Sequence, residues 1–450
     1  MTASLVGRQA VVIGAGISGL AAARALAGHF EQVTVLERDS LPVQACERAG
    51  TPQARHVHAL LAGGLKALAG LFPGFEDDLV RAGAVPLRAG LDIRLERPGF
   101  DPFPVRDLGL LTYAVSRPAI EFAVRLRTTE QGKVQLQPQC RVIGIVSSAD
   151  GAAAVGVRWE DAYGAAHMLP TDLVIDASGR AVPTLAFLQS TGRAAPGETS
   201  IGVDIGYASA TYEIPEHAPS DWKGVMTFPI APQSSRGALM LPLEGRRWMV
   251  SLGGRGADKP PSDDTGFLDC VRQLRTPTIY NAIRDAKRIG NVARYAFPQS
   301  VRRHFEHVRA FPRGLLPIGD AVCRFNPVYG QGMSVAAQEA VALRDLLTRL
   351  ARRSDPLAKL APAFFAELQS LLEAPWALAA IPDFVFPETI GRRPPDLKRH
   401  LKFAAALMRL AAREPAVHKL TVEVQHLLKP RSVYRRPLLM ARVLMEMMRD

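Results

Sequence analysis

The spacing of apolar positions predicts a chain in which short buried strands alternate with amphipathic helices. An apolar run at residues 10–13 leads into glycines at positions 14, 16 and 19, and a helical pattern follows. A second apolar run at residues 33–36 ends in Glu37. Much later, residues 314–319 form another short strand, and a loop rich in Pro and Gly then leads to a helical pattern from Met333. The chain is therefore predicted to be an α/β protein.

The first strand–turn–helix unit has the spacing of a dinucleotide-binding fingerprint. Gly14, Gly16 and Gly19 supply the tight turn and the close approach of the backbone to a pyrophosphate. Glu37 follows Gly14 by 23 residues and ends the next strand, where an acid binds ribose hydroxyls. A lone glycine motif is weak, but a motif framed by two strands and an acid is specific. We expect a bound dinucleotide here, with Glu37 and the adjacent Arg38 beside its ribose.

The late strand predicts a second part of the same site. An aspartate at the end of a strand, here Asp320 after Gly319, can bind sugar hydroxyls. Glycines let the backbone approach a flat ligand, and the start of the following helix offers N–H groups and a positive dipole to an anion. This arrangement is a plausible cradle for the electron-rich edge of a flavin. The candidate flavin-facing residues are Asn326, Pro327, Tyr329, Gly330, Gly332 and Met333.

The middle of the chain reads as strands. Residues 134–176 are predicted to form an antiparallel meander that feeds a buried strand. Between residues 201 and 253 four strand-like runs follow, the last two joined by a hairpin turn at residues 244–246. Such a sheet can form the floor of an apolar pocket, whose candidate lining residues, or equally core residues, are Tyr212, Met240 and Trp248. Ser262 to Arg288 reads as mostly helix.

The character of the chain changes after Arg353, where helical segments are interrupted by prolines. The segment from Pro437 is apolar almost all round, with Arg442 and Glu446 on one face at i,i+4 spacing. These helices are expected to pack on the rest of the protein, to form a lid or a partner interface, or to contact a membrane surface. Basic residues that favour the membrane alternative are Lys429, Arg431, Arg435 and Arg436.

Composition narrows the class of protein. The 450 residues are 48% apolar and 22% charged, as in an ordinary globular enzyme. The net charge of +12 comes from scattered basic residues, without the zinc spacing or aromatic-interleaved basic stripe of a nucleic-acid binder. A basic surface is either simply solvated or attracts anionic cofactors, acidic carrier proteins or membrane headgroups. We therefore expect no nucleic-acid partner.

Cysteine usage and hydropathy indicate the compartment. Cys46, Cys140, Cys270 and Cys323 are widely spaced, which suits a reducing compartment and suggests neither a disulfide nor a metal site. The first strand begins within ten residues of the start, which leaves no room for a signal peptide, and no apolar run is long enough to span a bilayer. A cytoplasmic protein without a transmembrane segment is expected.

Together the two motifs resemble the FAD-dependent monooxygenases of the p-hydroxybenzoate hydroxylase type. Within that superfamily, the stretches Pro52–His58 and Phe325–Met333 resemble the flavin epoxidases that act on polyenes in polyether biosynthesis. The resemblance spans most of residues 8–350. It implies a Rossmann-like FAD-binding domain of the glutathione-reductase type (residues 1–195 and, on return, 301–352), a β-sheet substrate domain (residues 196–300) and a C-terminal helical region (residues 353–450).

The resemblance also implies roles for residues that the motifs alone do not assign. Arg55 would face FAD from a loop, and Arg117 would reach it from the start of a helix. The alternatives are polar packing beside the cofactor loop for the first and a helix-end salt bridge for the second. The family has an Asp-Gly motif that contacts FAD and NADPH, and here Asp176 and Gly179 are separated by two residues. FAD contact is expected from them, while the spacing argues against direct NAD(P)H binding.

The implied activity is transfer of one oxygen atom from O₂, through a flavin C4a-hydroperoxide, to a hydrophobic small molecule. Epoxidation of an alkene in secondary metabolism is favoured over aromatic hydroxylation, because no side chain stands out as a base for a phenol. Electrons would come from NADPH or NADH, directly or through a flavin reductase. A flavin-dependent isoprenoid double-bond reductase and a non-catalytic flavin-binding partner protein are the alternatives.

Overall fold

The computed structural model describes residues 5–130, 132–261 and 263–449. Residues 1–4 and 450, which belong to the predicted first and last segments, and Ser262, which begins a predicted helical segment, lie outside the described residues. The architecture is two layered α/β units whose strands alternate along the sequence, followed by a helical region.

A five-stranded parallel sheet forms the centre of the first unit. In spatial order it contains β16 (Leu315–Pro317), β10 (Leu173–Asp176), β1 (Gly7–Ile13), β2 (Phe30–Leu36) and β6 (Val134–Gln137). Strand β10 and the second halves of β1 and β2 are nearly continuous buried runs because both faces of the sheet are covered. The strand at residues 134–137 was predicted to belong to the meander. The prediction was wrong, because this strand pairs with β2 instead.

Helices and a small meander cover the two faces of this sheet. The helices are α1 (Ile17–Leu26), α2 (Ala62–Leu71), α3 (Phe75–Arg81), α4 (Arg117–Thr129), α5 (Val182–Ser190) and α8 (Gly332–Leu350). The antiparallel meander contains β7 (Arg141–Ser147), β8 (Ala154–Glu160) and β9 (Ala166–Pro170). Side chains such as Leu20, Phe30 and Leu343 are completely buried between the sheet and α1 and α8.

A seven-stranded sheet forms the second unit. Its spatial order is β17 (Cys323–Arg324), β15 (Arg288–His304), β11 (Gly197–Glu213), β14 (Arg247–Arg255), β13 (Gly237–Leu243), β12 (Gly224–Thr227) and β4 (Ile93–Glu96). The expected hairpin turn is confirmed, with Gly245 and Arg246 both at positive φ. Helices α6 (Asp264–Arg272) and α7 (Thr278–Ile283) pack on one face. Strands β3 (Val85–Arg88) and β5 (Leu111–Ala114) pair separately.

The C-terminal region is helical, as predicted. It contains α9 (Leu360–Asp383), α10 (Leu397–Arg413), α11 (Pro415–Gln425) and α12 (Pro437–Met447). Helix α9 packs on the first unit, while α10 to α12 share a smaller core with Phe103. Arg442 and Glu446, four residues apart in α12, have separate partners. Arg442 pairs with Glu414, and Glu446 turns inward to Arg409 and Arg413. Among the described helices, none is both long and apolar enough to cross a bilayer.

Candidate FAD site

The glycine turn between β1 and α1 has the geometry of a phosphate-binding loop. Gly14 adopts φ +100°, and its N–H donates to the Leu36 carbonyl at 2.8 Å. A Cβ on Gly19 would lie 1.9 Å from the Gly14 oxygen, so only glycine lets the helix approach the turn so closely. A Cβ on Gly16 would enter open space. The start of α1 carries no side-chain cap and no acid in its first turn, which leaves its N–H groups available to an anion.

Glu37 lies at the end of β2, as the fingerprint requires. It is buried, and its carboxylate oxygens accept from the Ala15 N–H at 2.7 Å and the Asp39 N–H at 3.0 Å. The buried guanidinium of Arg48 lies 3.4 Å from Glu37 and also pairs with Asp39 and Glu121. Each carboxylate oxygen keeps a second acceptor position for a ribose hydroxyl. Sequence reasoning missed Arg48, and its position in an irregular loop gave no signal for it.

Asp320 follows β16 and a Gly319 at φ +67°. It is exposed, although Gly319 and Ala321 on either side are buried. Desolvation by the surrounding protein raises the pKa of Asp320 to about 6, and the charges of Arg324, Arg117 and Arg303 act in the opposite direction. Asp320 is open to solvent on one side and is surrounded by protein on the others. It therefore lines a cleft.

Glu339 of α8 supports the turn at the end of β16 from below. Its carboxylate accepts from the Gly319 N–H at 2.6 Å. Glu339 is completely buried, and burial raises its pKa to about 8. Its second oxygen and the hydroxyl of the neighbouring Ser18 have no partner among the described atoms. The turn that carries Asp320 therefore rests on a carboxyl group that is protonated at neutral pH.

The loop from Asn326 to Gly332 is fixed by a buried polar cluster. Asn326, completely buried, accepts from the Tyr207 hydroxyl at 2.8 Å and donates to Asp383 at 3.1 Å. The Tyr329 hydroxyl donates to Asp383 at 2.9 Å. Asp383 comes from the end of α9 and also pairs with the buried guanidinium of Arg255 from β14. The loop is thus held by the seven-stranded sheet on one side and by the C-terminal region on the other.

Burial and hydrogen bonds set the charge states in this cluster. Burial raises the pKa of Asp383, and the guanidinium of Arg255 together with the donors of Asn326 and Tyr329 act in the opposite direction. Burial raises the pKa of Tyr329 well above its ordinary value. The Arg255 guanidinium further donates to Thr389 at 2.8 Å and lies 4.5 Å from the centre of the Phe386 ring. Every partner of Asp383 is a donor, as an ionised carboxylate requires.

A second loop lies against the same face of the sheet. The Nδ1 atom of His56 lies 2.7 Å from the hydroxyl of Ser209, which also contacts the Ser251 hydroxyl. The Val57 N–H donates to Ser251 at 2.9 Å. Burial lowers the pKa of His56 to about 4, and desolvation together with the charge of Arg117 lowers that of His58 to about 3. Both imidazoles are therefore neutral at pH 7.

This loop has little regular secondary structure. The chain forms a single 3₁₀ turn at Pro52–Arg55 and is then irregular until α2 begins at Ala62. The Leu61 N–H donates to Ser334 of α8 at 3.0 Å. The loop is therefore fixed to both the sheet and α8, which provides the geometry that a helix would not.

Two predicted cofactor residues are displaced from the site. Arg55 points outward, with 62% of its side chain exposed, and pairs with Glu47. Asp176 is completely buried, and its oxygens accept from Ser178 and from the N–H and hydroxyl of Thr184. Both expectations are corrected, since each side chain is directed to protein partners. Gly179 lies in the turn after Asp176 at φ +82°.

The remaining predicted cofactor residues lie in two environments. Arg117 is buried at the start of α4, where it pairs with Glu121 at 3.0 Å and its charge acts on Asp320. Arg38 is exposed and lies 3.8 Å from Asp39. The salt bridge considered for Arg117 is present, and its contact with FAD stays a prediction.

The predicted pocket residues face the wrong side of the sheet. Tyr212, Met240 and Trp248 are all buried in the core between the sheet and helices α6 and α7. Alternate residues of a strand point to opposite faces, so the face beside the two loops carries Tyr207 and Ser209 of β11 and Ser251 of β14. Of the two possibilities stated for these three side chains, pocket lining and core packing, their burial against α6 and α7 supports core packing.

One further group of polar residues lies apart from the two loops. His304, Glu306 and His307 place ligand atoms within 4.8 Å of one another. The two ring nitrogens of His304 are already engaged, at 2.7 Å by Thr199 and at 3.0 Å by Glu306. We therefore assign this group of three residues to hydrogen bonding within the protein.

The arrangement as a whole fits FAD. The open side of Gly16 and the uncapped start of α1 fit a pyrophosphate, and Glu37 fits a ribose. Asp320 fits the hydroxyls of the ribityl chain. At Gly332, a Cβ would enter open space at the start of α8, where the dipole favours negative charge on a flavin ring. The fold and this site define an FAD-binding flavoprotein.

Comparison with known proteins agrees with this class. A family model described as "FAD binding domain" matches residues 8–357. The chain belongs to this family, and its cofactor is FAD. Protein Rv3254 of Mycobacterium tuberculosis is 34% identical over 392 residues, which cover 84% of this chain and 80% of that protein.

Solved structures show the same fold at low sequence identity. The flavin-dependent brominase Bmp2 matches with a TM-score of 0.68 and 15% identity over 98% of this chain and 99% of that one. PqsL, a probable FAD-dependent monooxygenase from Pseudomonas aeruginosa, matches with a TM-score of 0.60 and 15% identity over 84% and 97%. These likenesses show the fold, and the family model shows that the protein is an FAD-binding flavoprotein.

Proposed function

We propose that the protein epoxidises a carbon–carbon double bond of a hydrophobic small molecule, with O₂ as the source of oxygen. The bound FAD, when reduced, supplies the activation of O₂. The residues of this chain bind and orient the cofactor: the glycine turn and Glu37 hold the ADP part, Asp320 the ribityl chain, and the loop from Asn326 to Gly332 the ring system. We further propose NADPH or NADH as the electron source, used directly or through a flavin reductase.

One observation carries the choice of an alkene over a phenol. The face of the sheet beside the two loops carries neutral groups: Tyr207, Ser209, Ser251 and the imidazole of His56. A phenol substrate profits from a base that removes its proton, and such a base is most effective when its pKa lies near the working pH. The pKa of His56 is lowered to about 4, which makes it a poor base. Oxygen transfer to an alkene needs no base.

The test is an isotope experiment on the FAD-loaded protein. The protein is supplied with NADPH or NADH, with and without an added flavin reductase, and with a panel of polyenes and phenols under ¹⁸O₂. We expect one ¹⁸O atom in a polyene product and none in phenols. The Gly16→Val variant, which is expected to lose FAD, serves as the inactive control.

Three outcomes would reject the proposal. Label in phenols but not in polyenes would make the protein an aromatic hydroxylase. Oxygen-independent gain of two hydrogens would make it a double-bond reductase. Absence of turnover across the panel, together with a stable complex between the protein and another macromolecule, would favour a flavin-binding partner protein.

A further inference from the structure

Helix α12 presents an apolar stripe that the rest of the described chain does not cover. Eighteen large apolar side chains are exposed among the described residues, and four of them fall between residues 438 and 448. They are Leu438 (84% exposed), Leu444, Met445 (52%) and Met448 (78%). With Ala441, they lie on one side of the helix, since their spacing follows three- and four-residue steps.

The opposite side of α12 is fully engaged within the protein. Leu439 and Val443 are buried in the core shared with α10 and α11. Glu446, the acidic residue within α12, is also buried and pairs with Arg409, Arg413 and Arg449. The helix is therefore docked firmly, and its exposed side carries no carboxylate among the described residues.

Basic side chains border the apolar stripe. Arg442 follows Leu438 by four residues, and Arg449 follows Met445 by four, so each lies next to the stripe on the helix surface. Both keep exposed side chains while they pair with Glu414 and Glu446 respectively. Arg435 and Arg436, just before the helix, are exposed and have no acidic partner within the described residues. An apolar strip bordered by arginines is complementary to a surface that is apolar inside and anionic outside.

We propose that α12 docks the protein on an anionic phospholipid surface. Helices with this distribution lie in the plane of the membrane, with apolar side chains in the headgroup boundary and arginines at the lipid phosphates. A second copy of the chain fits less well, because its own arginines would face these ones across the contact and the net charge is already +12. The proposal does not depend on the substrate of the FAD site.

The test is co-sedimentation of the FAD-loaded protein with vesicles of phosphatidylglycerol and phosphatidylcholine. We expect binding that rises with the phosphatidylglycerol fraction and falls with salt. Met445→Glu should lower the partition coefficient by about tenfold or more, because it places a charge where an apolar side chain would be buried in the lipid. Met168→Glu is the matched control, since Met168 lies on the remote strand β9 at a similar exposure of 57%.

Any of the following results would overturn the proposal. Absence of binding, equal binding to pure phosphatidylcholine, or equal weakening by Met168→Glu would show that α12 is not the lipid contact. A dimer in solution that Met445→Glu dissociates, without vesicle binding, would assign the stripe to a second copy. Substituted residues are on the surface, and unchanged melting temperatures would exclude misfolding as the cause.

Discussion

The charge of Asp383 is expected to hold the flavin loop in place. The substitution Asp383→Asn preserves the shape of the side chain and can preserve the acceptor atom that contacts Arg255, Asn326 and Tyr329. In the native protein the Asn326 amide nitrogen lies 3.3 Å from the second carboxylate oxygen of Asp383. The substitution replaces this oxygen with an NH₂ group, so two donors face each other. It also leaves the guanidinium of Arg255 buried without a counter-charge.

The expected cost follows from burial. Breaking a buried ion pair by removing one partner costs about 3–5 kcal/mol. Unfolding entropy of about 2 cal/mol/K per residue gives roughly 1 kcal/mol per degree for a chain of this length, so the melting temperature should fall by about 3–5 °C. Because the same carboxylate anchors Asn326 and Tyr329, FAD should also dissociate more readily.

Thermal unfolding monitored by circular dichroism measures the melting temperature, and flavin fluorescence in the same experiment measures the release of FAD. Asp355→Asn is the matched control, because Asp355 pairs with Arg313 at the surface and such pairs contribute about 0–1 kcal/mol. The double variant Arg255→Met, Asp383→Asn should recover part of the loss by removing the orphaned charge. If Asp383→Asn behaves like Asp355→Asn, the cluster does not anchor the loop and the reasoning fails.

Further predictions concern the buried acid and the cofactor turns. Burial raises the pKa of Glu339 to about 8 from an ordinary 4.5, so the folded state holds a proton that the unfolded state releases, and stability falls as pH rises between these values. Glu339→Gln should remove this slope and raise the melting temperature more at about pH 8 than at about pH 5; equal shifts would contradict it. Gly16→Val should purify without FAD, because the side chain enters the pyrophosphate position, whereas Gly28→Val, at an exposed glycine with equally open surroundings, should retain FAD. Asp320→Ala should lower FAD occupancy in the absorbance spectrum, and wild-type flavin content would remove Asp320 from the site.

Local sequence patterns predicted the parts of the site that local geometry determines. The glycine turn and Glu37 lie within one βαβ unit, where spacing alone brings them together. Asp320 and the start of α8 follow from a single strand–loop–helix pattern. The pocket residues failed because alternation places Tyr212 and Ser209 on opposite faces, and the sequence does not say which face is covered by α6 and α7.

Contacts between distant segments were not predictable in the same way. Asp383 is the only charged residue between Ala374 and Phe386, which is a signal for a buried acid with a partner, yet the partner Arg255 lies 128 residues earlier. Strand β4 likewise comes from the predicted first domain but pairs with β12 of the second sheet. Such pairings depend on how the units pack together. Hydrophobic periodicity does not tell which distant segments will meet.

The position of Asp383 far after the glycine fingerprint in the sequence bears on when this protein can retain its flavin. Domains begin to fold from the N-terminal side during synthesis. The glycine fingerprint is made early, whereas β16, Asp320 and the anchor of the flavin loop emerge only after some 300 further residues. A fragment that stops before residue 383 keeps every glycine of the fingerprint and lacks the anchor of the loop. Retention of the cofactor should therefore require synthesis past residue 383, and products truncated before this residue should accumulate colourless.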